Sequence, residues 1–284
     1  MTVGITPLGD GSFAAEVTGT DLSRAIADEI RPDLADALRN AFIDYPLLVM
    51  PTDGLTSAQL LALASVFGEP QVQLLEDYRC SDVPTISVIA SDQTDVRGDG
   101  RRIVFGGNWH TDDSYLAVPA KATMLYAHVI PPSGGDTLFA DTSAAYEALD
   151  ESCVAELEGK RVVHSYQSRR NINAVPTRSA AEEAETPPVQ HPLVRTHPET
   201  GRRSLYLNPN RMDSVVGLDA ATSDGVLDRL IEHATQTRFV HRHVWRPHDV
   251  VIWDNGRSMH RATADYGDAR REMHRILLRG TVPV

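Results

Sequence analysis

Cysteine is nearly missing: the 284-residue chain has two, Cys80 and Cys153, far apart and without the spacing of metal ligands. That excludes a disulfide framework, and two reduced thiols in a cytoplasmic protein are expected. Positive charge is short as well. Lys and Arg number 27 against 39 Asp and Glu, which leaves a net charge of -12. A protein whose main partner is nucleic acid carries a basic stripe, so that partner class is set aside. A locally basic pocket remains open, because Arg270, Arg271, Arg275 and Arg279 cluster in this acidic chain. No apolar stretch is long enough to span a bilayer, and Met1-Thr2-Val3-Gly4-Ile5 lacks the basic region and apolar run of a signal peptide. No membrane partner is expected. Internal repeats and linker-like stretches are lacking too. One domain is therefore expected over residues 1–284, with enough chain to bury a sizeable core.

What is present is mostly short strands with a few helices. Loose alternation predicts a strand pair in residues 1–20. Helices are expected over 33–42, after a Thr56 or Ser57 cap up to Gly68, from Thr142 or Ser143 to about 149, and over 223–235. Strands are expected at 45–50, 85–90, 122–130, 138–140, 193–196, 204–207, 239–245, 250–253 and 273–278. Two stretches read as mobile loops. Residues 91–107 are polar and glycine-rich and lead straight into His110. Residues 168–191 hold few apolar side chains but Arg169, Arg170, Glu182, Glu183 and Glu185. Helices mostly early and strands dense at the end suit a mainly β fold, a sandwich or barrel core with helices packed outside.

The chemistry gathers at Trp109-His110-Thr111-Asp112. In extended chain, His110 and Asp112 point to the same side and can grip one face of a metal ion. A third ligand must come from far along the chain, and His260, after the strand expected at 250–253, is the best candidate. Two histidines and one carboxylate on one face, with the other positions open, form the site of non-haem Fe(II) oxygenases. The remaining histidines lack such spacing, and His241 and His243 read as solvent-facing. Arg271 and Arg275 lie four apart, share a face of an expected strand, and could hold two different carboxylates with their planar forks. Arg270 and Arg279 suit a solvated edge. Gly134-Gly135-Asp136-Thr137 places a hydroxyl just after a tight glycine turn. Trp109, Tyr115, Phe139, Tyr206 and Trp253 bracket these motifs and read mostly as core.

Taken in order, Trp-His-Thr-Asp at 109–112, Pro-Pro-Ser-Gly-Gly-Asp-Thr at 131–137, Val-Ile-Trp-Asp-Asn at 251–255, and His260 followed by Arg271 and Arg275 form a specific set. With it the chain resembles the taurine dioxygenase and chlorophenoxyacetate dioxygenase family of Fe(II)/2-oxoglutarate oxygenases, most strongly over 109–145 and 192–279. The resemblance implies a double-stranded β-helix (jelly-roll) core. It implies His110, Asp112 and His260 as iron ligands, with Thr137 and Arg271 on the distal carboxylate of 2-oxoglutarate. It implies O2 as co-substrate, succinate and CO2 as products, and hydroxylation of a substrate C–H bond. Arg275 matches the position that binds the substrate's anionic group. Where the taurine branch has a histidine after Phe-Gly-Glu, this chain has Gln73. The expected substrate is thus a small organic anion, a carboxylate such as an aryloxyalkanoate-like acid, held by Arg275, Gln73 and Tyr115. A sulfonate or alkyl sulfate is the alternative within the family. A zinc hydrolase on the same His-Asp-His set and a non-catalytic jelly-roll binding protein are rival classes. A homo-oligomer, dimer or tetramer, is the expected assembly.

Overall fold

The computed structural model describes residues 3–9, 11, 13–26, 30–103, 105–171 and 175–284. Strands β1 (Gly4–Pro7) and β2 (Ala14–Thr18) pair antiparallel, and α1 (Leu22–Ala25) follows, capped by the Asp21 carboxylate. Helix α2 (Pro32–Asp44) begins with proline, which suits its first turn, and buries Leu34, Leu38 and Phe42. After β3 (Leu47–Met50), α3 (Ser57–Phe67) opens on a capping box between Thr56 and Gln59. Then come β4 (Pro70–Gln71), β5 (Ile86–Ala90), β6 (Ala122–Val129), β7 (Thr137–Asp141), α4 (Thr142–Glu147), α5 (Glu151–Leu157) and β8 (Arg161–His164). The rest is α6 (Ala180–Ala184), β9 (Val189–Pro192), β10 (Val194–Thr196), β11 (Arg203–Leu205), β12 (Met212–Val215), α7 (Ala220–Ala234), β13 (Val240–His243), β14 (Val250–Asp254), β15 (Ser258–Ala262) and β16 (Glu272–Leu278).

Eight strands make the large sheet, in the order β1-β2-β3-β14-β6-β16-β4 with β5 also on β16. One face carries Leu48, Met124, Ile252 and Ile276, which pack under Leu38 and Phe42 of α2 and Leu63 and Phe67 of α3. Each such side chain, fully buried, contributes about 1.5–3 kcal/mol. The other face carries Leu125, Val251, Trp253 and Met273, which meet Phe139 of the three-stranded sheet β13-β7-β15. A third core joins α4 and α7 to β10, β11 and β12 through Ala145, Leu205, Met212, Leu227 and Leu230. The chain is therefore mainly β with flanking helices, as the sequence suggests. Among the described residues no helix is long and apolar enough to cross a membrane.

Several details differ from the sequence reading. Strand β15, which carries His260, is not legible because its residues Ser258 and His260 are polar yet buried. His260 therefore sits within a strand rather than beyond the end of one. Helix α5 and strands β8 and β12 are also additional. Asp141 caps α4, accepting from the backbone N–H of Ser143 and Ala144. His243 is not solvent-facing: it is buried edge-on to Trp245, with Nε2 3.3 Å from Asp249. The two loop-like stretches hold structure of their own. Thr94 bridges Arg102 in the first, and α6 opens on a Ser179–Glu182 capping box in the second. The buried Asp95 carboxylate fastens one to the other, accepting from Thr177 N at 2.9 Å and Thr177 Oγ1 at 2.8 Å. Val104 and residues 172–174 of these stretches lie outside the described residues.

Candidate metal centre

His110 lies in irregular chain just before a turn, and a two-way backbone bridge locks it to β15. His110 N donates to His260 O at 3.0 Å, and His260 N donates to His110 O at 2.8 Å. Histidines 150 residues apart in sequence become neighbours this way, with ring centroids 4.1 Å apart. Asp112 then enters the same space. Its Oδ1 is 3.9 Å from His110 Nε2, and its Oδ2 is 3.6 Å from His260 Nε2. One ligating atom from each residue lies within 4.8 Å of the others, a spacing that one metal ion can bridge. Gly106 passes close by at φ +71, where an added Cβ would stand 3.3 Å from His110 Cε1.

The donor chemistry fits a divalent transition metal. His110 Nδ1 donates to Asn108 O at 2.8 Å, which leaves Nε2 with its lone pair toward Asp112. His260 is buried, its Nδ1 has no partner among the described residues, and its Nε2 faces Asp112 Oδ2 at 3.6 Å, so a cation between the two is favoured if Nε2 carries the lone pair. Burial lowers the pKa of both rings, and that of His260 further because His110 stands beside it. Burial alone would raise the Asp112 carboxyl. The nearby His260, Arg275 and His110 and the hydroxyl of Thr123 outweigh it and hold Asp112 at about 2. A polar chain with no exposed member orients that carboxylate. Thr123 Oγ1 donates to Asp112 Oδ2 at 2.6 Å, Asn255 Nδ2 donates to Thr123 Oγ1 at 2.9 Å, and Trp253 Nε1 donates to Asn255 Oδ1 at 3.1 Å.

The cluster opens into a cavity of about 320 Å³, and all eight side chains singled out in the sequence line it. Arg271 is buried against the glycine turn: its Nε donates to Gly135 O at 3.1 Å, and a Cβ on Gly135, at φ +74, would stand 3.2 Å from Arg271 Cδ. Among the described residues it has no ion-pair partner, and burial lowers its pKa. Thr137 Oγ1 accepts from Trp245 Nε1 at 3.0 Å, so its own hydrogen remains to be donated. Arg275, unlike Arg271, has side-chain partners of its own among the described residues. Its Nη1 is 3.4 Å from Asp112 Oδ1, Nη2 donates to Gln73 Oε1 at 2.9 Å, and Nε donates to Ser87 Oγ at 3.3 Å. Two of its five N–H groups are left over. Gln73 is buried, and its Nε2 has no partner among the described residues. Tyr115 lines the cavity but donates its hydroxyl to Asp113 Oδ1 at 3.1 Å.

Sequence reasoning missed several residues here. Asp113 adopts φ +55, a backbone that aspartate tolerates better than most side chains, and burial, then Asp112, raises its carboxyl to about 6. Arg211 stacks on Tyr166 at 4.4 Å and on Tyr115 at 5.1 Å and lines the cavity. Asn208 Nδ2 donates to Thr111 O at 2.6 Å and to Ser114 Oγ at 2.9 Å, holding the turn after the metal cluster. Arg211 and Thr123 have no sequence signal; Asn255 was visible only as part of the Trp-Asp-Asn motif.

A mainly β fold, a buried cluster of two histidines and a carboxylate, and an unpaired arginine in one cavity define a class: metal-dependent oxygenases that take an oxo-acid co-substrate. The chain belongs to the taurine catabolism dioxygenase TauD, TfdA family, whose model matches residues 4–277. It is 35% identical over 275 residues to the alpha-ketoglutarate-dependent 2,4-dichlorophenoxyacetate dioxygenase of Cupriavidus pinatubonensis, covering 93% of each chain. It is also 35% identical over 271 residues to the (S)-phenoxypropionate/alpha-ketoglutarate-dioxygenase of Sphingobium herbicidovorans, covering 91% of this chain and 88% of that one. The crystal structure of AAD-2 in complex with Mn(II) and N-oxalylglycine superposes with a TM-score of 0.83 at 32% identity, over 100% of this chain and 99% of that one. The chain is thus an alpha-ketoglutarate-dependent dioxygenase, an oxidoreductase that uses Fe(II), 2-oxoglutarate and O2.

Proposed function

We propose that His110, Asp112 and His260 hold Fe(II) at the mouth of a jelly-roll core, and that the enzyme hydroxylates a small organic anion. The observation that carries this reading is the shared cavity: the three metal donors and the unpaired buried guanidinium of Arg271 open into one space. When bound there, Fe(II) with 2-oxoglutarate and O2 supplies the oxidising power for C–H hydroxylation, with release of succinate and CO2.

The chain's own residues position the reactants. Arg271 takes the distal carboxylate of 2-oxoglutarate in a bidentate grip, and the remaining hydrogen of Thr137 Oγ1 adds one bond to it. A buried cation left unpaired is expensive, so the pocket favours an anion at this point. The same feature speaks against a zinc hydrolase, which has no need of a second carboxylate, and against a merely binding jelly roll. Arg275 keeps two N–H groups and Gln73 one amide group for the substrate's anionic end. The arginine is tied to Asp112, so substrate charge and metal ligand are electrostatically linked. Arg211 adds positive charge to the same cavity. Apolar Leu75, Ile89 and Phe105 and the ring of Tyr115 surround a compact hydrophobic body. This suits an aryloxyalkanoate-like carboxylate, with a product that falls apart when the hydroxylated carbon bears an ether oxygen. A sulfonate or alkyl sulfate is the second reading, because Gln73 Nε2 can donate to either kind of anion.

The test is Arg275→Ala assayed over a panel of small carboxylates, sulfonates and sulfate esters. The expected result is weaker substrate binding and succinate formed without matching product, at an almost unchanged KM for 2-oxoglutarate. Arg275→Lys restores only part, since an ammonium lacks the planar fork. A neutral or cationic best substrate that Arg275→Ala turns over normally would sink the anion reading.

A further inference from the structure

Strand β16 is two-sided in its chemistry. Met273 and Arg275, with Arg271 just before the strand, face the cavity or the inner core, while Glu272, His274 and Ile276 face the other way. On that outer side the helix-covered core ends at Tyr126, and beyond it three donors stand together without a described role. His128 comes from β6. The pairing register of β6 and β16 runs from Met273↔Ala127 to Glu272↔Val129, so His128 is the extra residue of a β-bulge. Its ring stacks on that of His274, with centroids 4.5 Å apart and planes 17° from parallel.

We propose that His128, Glu272 and His274 form a second divalent-cation site, on the outer face of the sheet and separate from the cavity. Glu272 Oε1 is the focus of the cluster. His274 Nε2 lies 3.3 Å from it and His128 Nε2 3.7 Å from it. One ligating atom of each residue lies within 4.8 Å of the others. The second carboxylate oxygen, Oε2, accepts from Arg270 Nη2 at 2.6 Å. That bond fixes the carboxylate plane and leaves Oε1 for a metal, as an outer hydrogen bond does for a ligating carboxylate. The His128 side chain is 47% exposed, so a cation can reach the cluster from solvent and the imidazoles have room to turn out of their stack toward it. Two imidazoles and one carboxylate with open positions suit Zn2+, Co2+, Ni2+ or Cu2+ and not Mg2+ or Ca2+, which ask for oxygen. A plain ion-pair cluster is the competing account. It needs only one imidazole on Oε1, and it gives no reason for a second ring on the same atom.

Co(II) is the probe. The metal-free full chain is dialysed anaerobically against it, and bound cobalt per chain is counted. The unaltered chain should take two equivalents. The double variant His128→Ala/His274→Ala should take one and keep iron-dependent succinate formation. Glu272→Gln, nearly identical in shape, should hold the second equivalent at least about tenfold more weakly. One equivalent in the unaltered chain overturns the proposal. So do two in the double variant, or an unchanged second affinity in Glu272→Gln.

Discussion

Asp112 illustrates how single residues decide this site. Its carboxylate is buried, which on its own would favour the neutral acid, yet two imidazoles, Arg275 and the Thr123 hydroxyl keep it ionised. The Thr123–Asn255–Trp253 chain fixes its direction, and it supports a prediction. Thr123→Val, equal in shape, removes the 2.6 Å bond to Asp112 and should weaken Co(II) or Fe(II) binding about 10–100-fold, with Thr123→Ser restoring most of it. Equal metal dissociation constants for all three would show that the chain has no orienting role. Arg271→Ala should raise the KM for 2-oxoglutarate by the loss of a buried charge pair, about 2–5 kcal/mol, with little change in substrate preference. An unchanged co-substrate KM would show that Arg271 does not hold the distal carboxylate. At this scale legibility followed proximity along the chain. His110 and Asp112 were readable because one short stretch carries both, although it folds as a bridge and a turn rather than the extended chain the sequence suggests. Thr123, Asn208 and Arg211 were not, because each acts across a contact that only the fold creates. Arg275 lines the cavity, and its pairing with Asp112 could not be read from spacing.

At the scale of elements, long periodic helices such as α2, α3 and α7 were legible because an apolar stripe and a cap both mark them. Strand β15 was hidden for the opposite reason: the buried positions Ser258 and His260 are polar. The two loop-like stretches form the roof of the cavity, the first through Ile103 and Phe105 and the second through Val175 and Pro176. The Asp95–Thr177 clasp and the Arg97–Glu182 ion pair at 3.6 Å tie the two stretches to each other, and we propose that they close together over bound substrate and keep water out. Asp95→Ala should cut that clasp. Proteolysis within 91–107 and 168–191 should quicken, and succinate should form without matching product. Equal protease sensitivity in the unaltered chain with and without Fe(II), 2-oxoglutarate and substrate would argue against closure.

At the scale of the whole molecule, burial lowers the pKa of several histidines. Burial, then His191, pushes His164 down to about 3, and burial also lowers His191, His110 and His260. In the unfolded chain such groups titrate near 6.5. Below that pH the unfolded state binds protons that the folded state refuses, so stability is intact above about 6.5 and falls as the pH drops toward the folded values. A fully buried histidine contributes about 1.4 kcal/mol per pH unit in that window. The denaturant midpoint of the metal-free chain should thus be lower at pH 5.5 than at pH 7.5; equal midpoints would contradict this. The proposed function rests at this scale on two sheets meeting around one cavity, with His110, Asp112 and His260 at one point and the unpaired Arg271 at another. Succinate release by the Fe(II)-loaded chain, with 2-oxoglutarate, O2 and a panel of small anions, tests it most directly beside His260→Ala. The account predicts succinate only with iron and co-substrate, product matching it for the best anion, and neither in His260→Ala, which keeps its fold. Full turnover by His260→Ala, or activity with zinc but not iron, would contradict it.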